Sequence, residues 1–187
     1  MSASAVTTWR WTADAFERAG EAGIFGDAHA DLIDGEVHVM SPQSPLHAAV
    51  LGRLVRALGS LSPEHVTRVQ MPVRLASNSE LEPDLAVVRG PLERYDNHHP
   101  GPDEILLVVE VAISSLGYDS GLKLAAYARS GVPEAWVIDV PAREVLVHTS
   151  PEPARAKYAQ VETVAHGLVN AAGVEIPVGQ LWPGAAV

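Results

Sequence analysis

Apolar and polar positions change rhythm several times along the chain, and each change predicts an element. The stretch ADLIDGEVHVMSP alternates around Asp34-Gly35, a two-residue turn signal, which predicts a hairpin with Leu32 and Ile33 on one arm and Val37 and Val39 on the other. SPLHAAVLGRLVRALGSL then switches to helical spacing, with Leu46, Val50, Leu54, Val55 and Leu58 on one stripe and Pro45 suited to the first turn. Upstream, TADAFERAGEAG offers Thr12 as an N-cap and predicts a short peripheral helix. HVTRVQMPVRLA reads as a strand bulged near Pro72, and EPDLAVVRG as a further strand opening at Pro83-Asp84. A loop rich in Pro, Gly and His covers residues 90–103.

Next comes ILLVVEVAIS, then SLGYDSGLKLAAYARSG, a predicted helix carrying Leu122, Leu124, Ala125 and Tyr127 and ended by Gly131. EAWVIDV is a strand, Pro141-Ala142 a turn and REVLVHTS its hairpin partner, with one or two further short strands in 157–177. No repeat or linker divides the chain. The expectation is one domain over 1–187: a peripheral helical region at 1–30, a core at 31–140 and C-terminal strands at 141–187. Helices alternating with groups of strands predict an α/β (α+β) fold, a mixed sheet flanked by helices.

Glu110 breaks the pattern. Five apolar residues precede it and three follow, as in a strand buried on both faces. A carboxylate there must be paired, bound to a metal, or protonated through a shifted pKa. All three remain open at this level.

Composition narrows the chemistry. There is no cysteine among the 187 residues, so thiolate ligands, disulfides and a cysteine nucleophile are excluded, and any metal must be held by oxygen or imidazole. No run approaches the roughly 18–20 apolar residues that span a bilayer, and the N-terminus lacks an apolar signal core. A soluble cytoplasmic protein is expected. The net charge of −10 is the reverse of a nonspecific nucleic-acid binder's excess of Lys and Arg.

Asp84 opens one apolar strand and Glu110 lies towards the end of another; if the strands are neighbours, both carboxylates face a shared point. Mg2+ and Mn2+ prefer oxygen ligands, and a pair of acids suffices for Mg2+. Lys123, on the helix that follows, could return to the end of the Glu110 strand to orient water or stabilise developing charge. Asp119 precedes Lys123 by four residues, so the two form either an exposed i,i+4 ion pair or part of the same centre.

These residues carry a resemblance. Pro83-Asp84 followed by Glu110 in VVEV resembles the PD-(D/E)XK nuclease superfamily. DLIDGEVHVMSPQSPLH, EPDLAVV, LLVVEVAISS and YDSGLKLAAYARSGVPEAWVIDV, in that order over about residues 31–140, resemble the bacterial Uma-two-type endonuclease family. The resemblance implies a restriction-endonuclease-like core and Mg2+- or Mn2+-dependent phosphodiester hydrolysis. It makes Asp84, Glu110 and the Val111 carbonyl metal ligands. Ala112 stands where the superfamily pattern has lysine, which points to Lys123 as the relocated lysine. By the same resemblance Glu36 is an additional acid near the site and Asp119 holds Lys123 or a metal-bound water; Tyr127, one turn on, either does likewise or is a core residue. A solvent-facing hairpin Glu is the other reading of Glu36. His47 is either a phosphate or water contact or a packing residue, His98-His99 are expected to be solvent-exposed, and Trp136 is expected in the core.

DNA is the expected substrate, with no membrane partner. Arg53, Arg56, Arg74, Arg89 and Arg129 lie near the proposed site or on the long helix, so a homodimer concentrating them along one groove would reconcile the acidic charge with DNA. Two other readings keep the fold: a silent nuclease-derived binding module, in which an internal partner neutralises Glu110, and a metal-dependent phosphohydrolase acting on a small substrate. No phosphate-cradling glycine loop favours the latter.

Overall fold

The structure is a computed structural model that describes residues 7–40, 42–113, 117 and 119–184, with the backbone alone at 119 and 120. The predicted hairpin forms as β1 (Ala30–Ile33) and β2 (Glu36–Val39), paired antiparallel. Asp34 and Gly35 have φ of 52° and 78°, the left-handed pair that a tight two-residue connection requires. At Gly35 a Cβ would sit 2.8 Å from the Arg10 Cβ and 3.0 Å from the Trp11 carbonyl, so the N-terminal segment approaches too closely for a side chain.

Two helices follow their sequence signals. In α1 (Ala13–Glu21) the Thr12 hydroxyl accepts from the Ala15 N–H, and in α2 (Pro45–Ala57) Ser44 does the same for His47. Val50, Leu51 and Leu54 bury the inner face of α2 and Leu58 continues it at the C-cap, while Leu46 and Val55, on the predicted stripe, remain 42% and 37% exposed. The buried stripe is narrower than periodicity suggested.

The stretch expected to be one bulged strand is two, in different sheets. β3 (His65–Val69) ends at Gln70, whose φ of 51° turns the chain, and Pro72 supplies no N–H to continue a ladder; β4 (Val73–Ala76) starts afresh. An unpredicted short strand, β5 (Ser79–Leu81), pairs with β4 and β1, giving a four-stranded antiparallel sheet ordered β2-β1-β5-β4.

The larger sheet has six strands ordered β10-β9-β8-β7-β6-β3. Its members β6 (Leu85–Arg89), β7 (Ile105–Ala112), β8 (Glu134–Asp139), β9 (Glu144–Glu152) and β10 (Lys157–Val164) pair antiparallel except β7 with β8. A parallel pair needs a crossover. It includes a π-helical turn, Asp119–Lys123, continuous with α3 (Leu124–Arg129), and Gly131 at φ 79° ends the helix. Residues 157–177 hold three strands rather than one or two: after β10, β11 (Leu168–Ala171) and β12 (Val174–Pro177) make a separate hairpin.

Period-two alternation divides the six-stranded sheet between two cores. Leu85 and Val87 of β6, with Leu107, Val109 and Val111 of β7, face α2 and the β11-β12 hairpin; Trp136 is fully buried there. Ala86, Val88, Val108 and Ala112 face α3 and the four-stranded sheet, together with Ile33, Leu81 and Tyr127. Residue 110 shares the parity of 108 and 112. Glu110 is therefore committed to the α3 side by the alternation of its own strand.

Candidate active site

The ladder between β6 and β7 runs Leu85↔Val109, so one further step places Asp84 opposite Glu110. The two acids, separated by 25 intervening residues, thereby meet at the end of adjacent strands. Asp84 Oδ2 accepts the Val111 backbone N–H at 2.7 Å and lies 3.0 Å from His47 Nε2, while among the described residues Oδ1 has only Gln43 Nε2 at 3.5 Å. A 3.5 Å contact is a weak hydrogen bond, so Oδ1 keeps lone-pair capacity on the cleft side.

Glu110 is 2% exposed and paired. Its Oε2 accepts from Lys123 Nζ at 2.9 Å and its Oε1 from the Tyr127 hydroxyl at 2.6 Å. Lys123 and Tyr127 are four residues apart at the junction of the π turn and α3, so both project from one face. Tyr127 is fully buried, and burial together with the Glu110 and Asp31 charges pushes its phenol well above the usual range. It stays a neutral donor. Lys123 is 2% exposed, and its ammonium also donates to the Glu82 carbonyl at 3.1 Å and lies 3.4 Å from Asp31 Oδ2. The cation thus bridges two buried carboxylates, an arrangement that avoids the cost of an uncompensated internal charge.

Asp31 escaped sequence reading. It is fully buried, and its Oδ1 accepts the Glu82 N–H at 2.7 Å. The signal was present in the hairpin: residues 31 and 33 share a face, and Ile33 packs into the α3-side core, so Asp31 must point the same way. Glu36 takes the opposite role. Its side chain is 57% exposed and pairs with Arg10, with His38 4.0 Å away, so the structure does not bring it to Glu110. The expectation for Asp119 concerns a side chain outside the described residues.

Above these groups lies a cleft of about 1170 Å³. Asp84, Glu110, Val111 and Lys123 form part of its lining, together with His29, His38 and His47, the β2 end (Val37, Val39, Met40) and Ile113. No arginine lines it among the described residues. Arg74 is bound by Asp14 and Glu17 at 2.6 Å each and by Glu80 at 3.0 Å, and Arg129 by Asp34 at 2.9 Å. His98 lies 3.4 Å from Glu104 at the other side of the loop 90–103.

The donor chemistry fits a hard divalent cation. Asp84 offers an under-used carboxylate oxygen to the cleft, Glu110 stands across the ladder from it, and the chain has no cysteine thiolate to favour a softer metal. A family model described as "Putative restriction endonuclease", Uma2, matches residues 15–180. The chain belongs to the Uma2 family. No curated protein matches this Uma2 chain. Among solved structures it is similar to a protein from Anabaena variabilis ATCC 29413 titled a putative nuclease belonging to DUF820, with a TM-score of 0.71 and 14% identity over 92% of this chain and 97% of that one. At that identity the likeness shows the fold: this Uma2 member has a restriction-endonuclease-like architecture. No helix among its described residues is long and apolar enough to cross a membrane.

Proposed function

We propose that the chain is a divalent-metal-dependent endonuclease that hydrolyses phosphodiester bonds of DNA. The observation that carries this reading is Lys123, buried between Glu110 and Asp31 at the floor of a cleft whose rim holds Asp84. A purely structural ion pair has no need of a cleft above it.

Asp84, Glu110 and the Val111 carbonyl would hold Mg2+ or Mn2+, which supplies an activated water and screens the phosphoryl charge. The chain's own residues do the rest. The Val111 N–H and His47 fix the rotamer of Asp84 from one side, leaving Oδ1 toward the cleft. Tyr127 and Lys123 fix Glu110 from the opposite side. Lys123, an ammonium with three donors, can exchange one contact for a phosphoryl oxygen as negative charge develops there. A homodimer belongs to the same reading, because it would bring Arg53 and Arg56 of two α2 helices to one nucleic acid.

Calorimetric titration with Mn2+ of the wild type and of Asp84→Asn, followed by nicking of supercoiled plasmid, tests the proposal. Uptake and nicking that both disappear in the variant are expected. Retention of nicking by Asp84→Asn would overturn the assignment. Absence of Mn2+ uptake by the wild type, even with an oligonucleotide present, would favour the silent binding module, in which Lys123 and Tyr127 are the permanent partners of Glu110.

A further inference from the structure

We propose that the strand drawn into this cleft is unpaired DNA rather than intact duplex, an inference that rests on the nuclease reading above. The first ground is depth. Glu110 and Lys123 are each 2% exposed, so a scissile phosphate must descend past the cleft rim to reach them. A cleft of about 1170 Å³ is close to the size of small-ligand pockets, which run to about 1,000 Å³. It takes a few nucleotides. A rigid duplex, held by its partner strand, presents its phosphates on a convex surface and seats one of them in a cleft of this size less readily than a flexible single strand does.

The walls supply the next ground. Val37, Val39, Met40 and Ile113 line the cleft, and Val39 is 66% exposed, an apolar side chain with no cover at the entrance. His29 and His38 add flat rings from the same side. Apolar and ring surfaces suit the faces of bases, which a single strand exposes and a duplex stacks away.

Charge is the third ground. Duplex affinity rests mainly on Lys and Arg that release counterions from phosphate. Here Asp27, Glu82, Asp84 and Glu110 line the cleft against Lys123, and the chain carries −10 overall. Arginines that would otherwise form a basic track are bound elsewhere, Arg74 by three carboxylates and Arg129 by Asp34. Within the cleft itself, base contacts are then the available source of affinity, and unpaired nucleotides are the ones that make them.

The test uses the full chain and three DNA substrates of one sequence: a single strand, its blunt duplex, and the duplex with an unpaired central stretch. Cleavage is followed with Mn2+, and binding by fluorescence anisotropy of the labelled single strand in EDTA. The single strand and the unpaired stretch should be cut at least about tenfold faster than the blunt duplex, a factor worth about 1.4 kcal/mol. Val39→Asp should weaken single-strand binding by about tenfold, the scale of losing one buried valine contact, while Mn2+ uptake is unchanged. Equal or faster cutting of the blunt duplex would overturn the substrate class and leave the nuclease reading standing. Anisotropy unaffected by Val39→Asp would overturn the placement of bases on the β2 wall. If none of the DNAs is cut although Mn2+ binds, both this inference and the DNA-nuclease reading fail.

Discussion

Two clusters in this protein have the same ingredients, three carboxylates and one strong cation. At the cleft they are Asp31, Asp84 and Glu110 with Lys123; near α1 they are Asp14, Glu17 and Glu80 with Arg74. By distance alone the α1 cluster is the better cation site, since Glu17, Glu80 and His99 each bring a ligand atom within 4.8 Å of the others. Yet Arg74 contacts Glu17 and Glu80 through separate nitrogens, and its planar fork meets their demand for positive charge. The cleft cluster instead has a compact ammonium that holds Glu110 and Asp31 and leaves Asp84 Oδ1 nearly unused beside open space. Stoichiometry of charge does not make a site. Access and an unsaturated donor do.

The largest expected effect breaks the cleft cluster. Lys123→Ala removes the cation between two buried carboxylates and should cost about 3–5 kcal/mol in urea unfolding, with plasmid nicking lost. The loss of activity should persist at temperatures where circular dichroism shows the variant folded; retained nicking there would make Lys123 purely structural.

A smaller effect separates the clusters by pH. Burial, opposed by Arg74 and reinforced by Glu17, pushes Glu80 up from 4.5 to about 7. A raised carboxyl pKa means that the folded state holds this proton more tightly than the unfolded chain does. The resulting stability is complete below about pH 4.5 and is lost as pH rises through about 7. Glu80→Gln stays neutral throughout, so its stability relative to wild type should improve by on the order of 2 kcal/mol between pH 4.5 and 8. Parallel stability–pH curves for the two proteins would count against this.

Next, Arg74→Ala opens the α1 cluster. It should cost about 1 kcal/mol, as expected for a partly exposed ion-pair network, and an additional Mn2+ equivalent should appear in calorimetry at Glu17, Glu80 and His99. Unchanged stoichiometry would mean that Arg74 is not what keeps a cation out. The smallest effect is expected for Glu36→Ala, within about 0.5 kcal/mol in stability and without change in Mn2+ uptake, because its side chain is 57% exposed on the hairpin.

Much of the fold was legible because its elements are strongly periodic. The α2 helix, the DG hairpin and the apolar runs of β7 and β8 each carry a local signal. The division of HVTRVQMPVRLA between two sheets was not legible, since Pro72 can mark either a bulge or a break and only the partners of β3 and β4 distinguish them. β5, three residues long, is too short to show a period. At the candidate site, Glu110 stood out through its apolar surroundings, whereas Asp31 was hidden in a strand of four residues, too short for one acid to stand out against an apolar run. His47 was one more helical histidine until α2 set it 3.0 Å from Asp84.

Local sequence settles which residues face which side of their own element. Parity along β7 sends Glu110 to one face, and helical spacing puts Lys123 and Tyr127 together on another, because those periods are properties of a local backbone. Which faces meet is a matter of long-range packing. The β6-β7 register set Asp84 across from Glu110, the crossover to β8 brought Lys123 over both Glu110 and Asp31, and the packing of α1 on the smaller sheet consumed Arg74. Such pairings depend on contacts distant in sequence, and no local period encodes them.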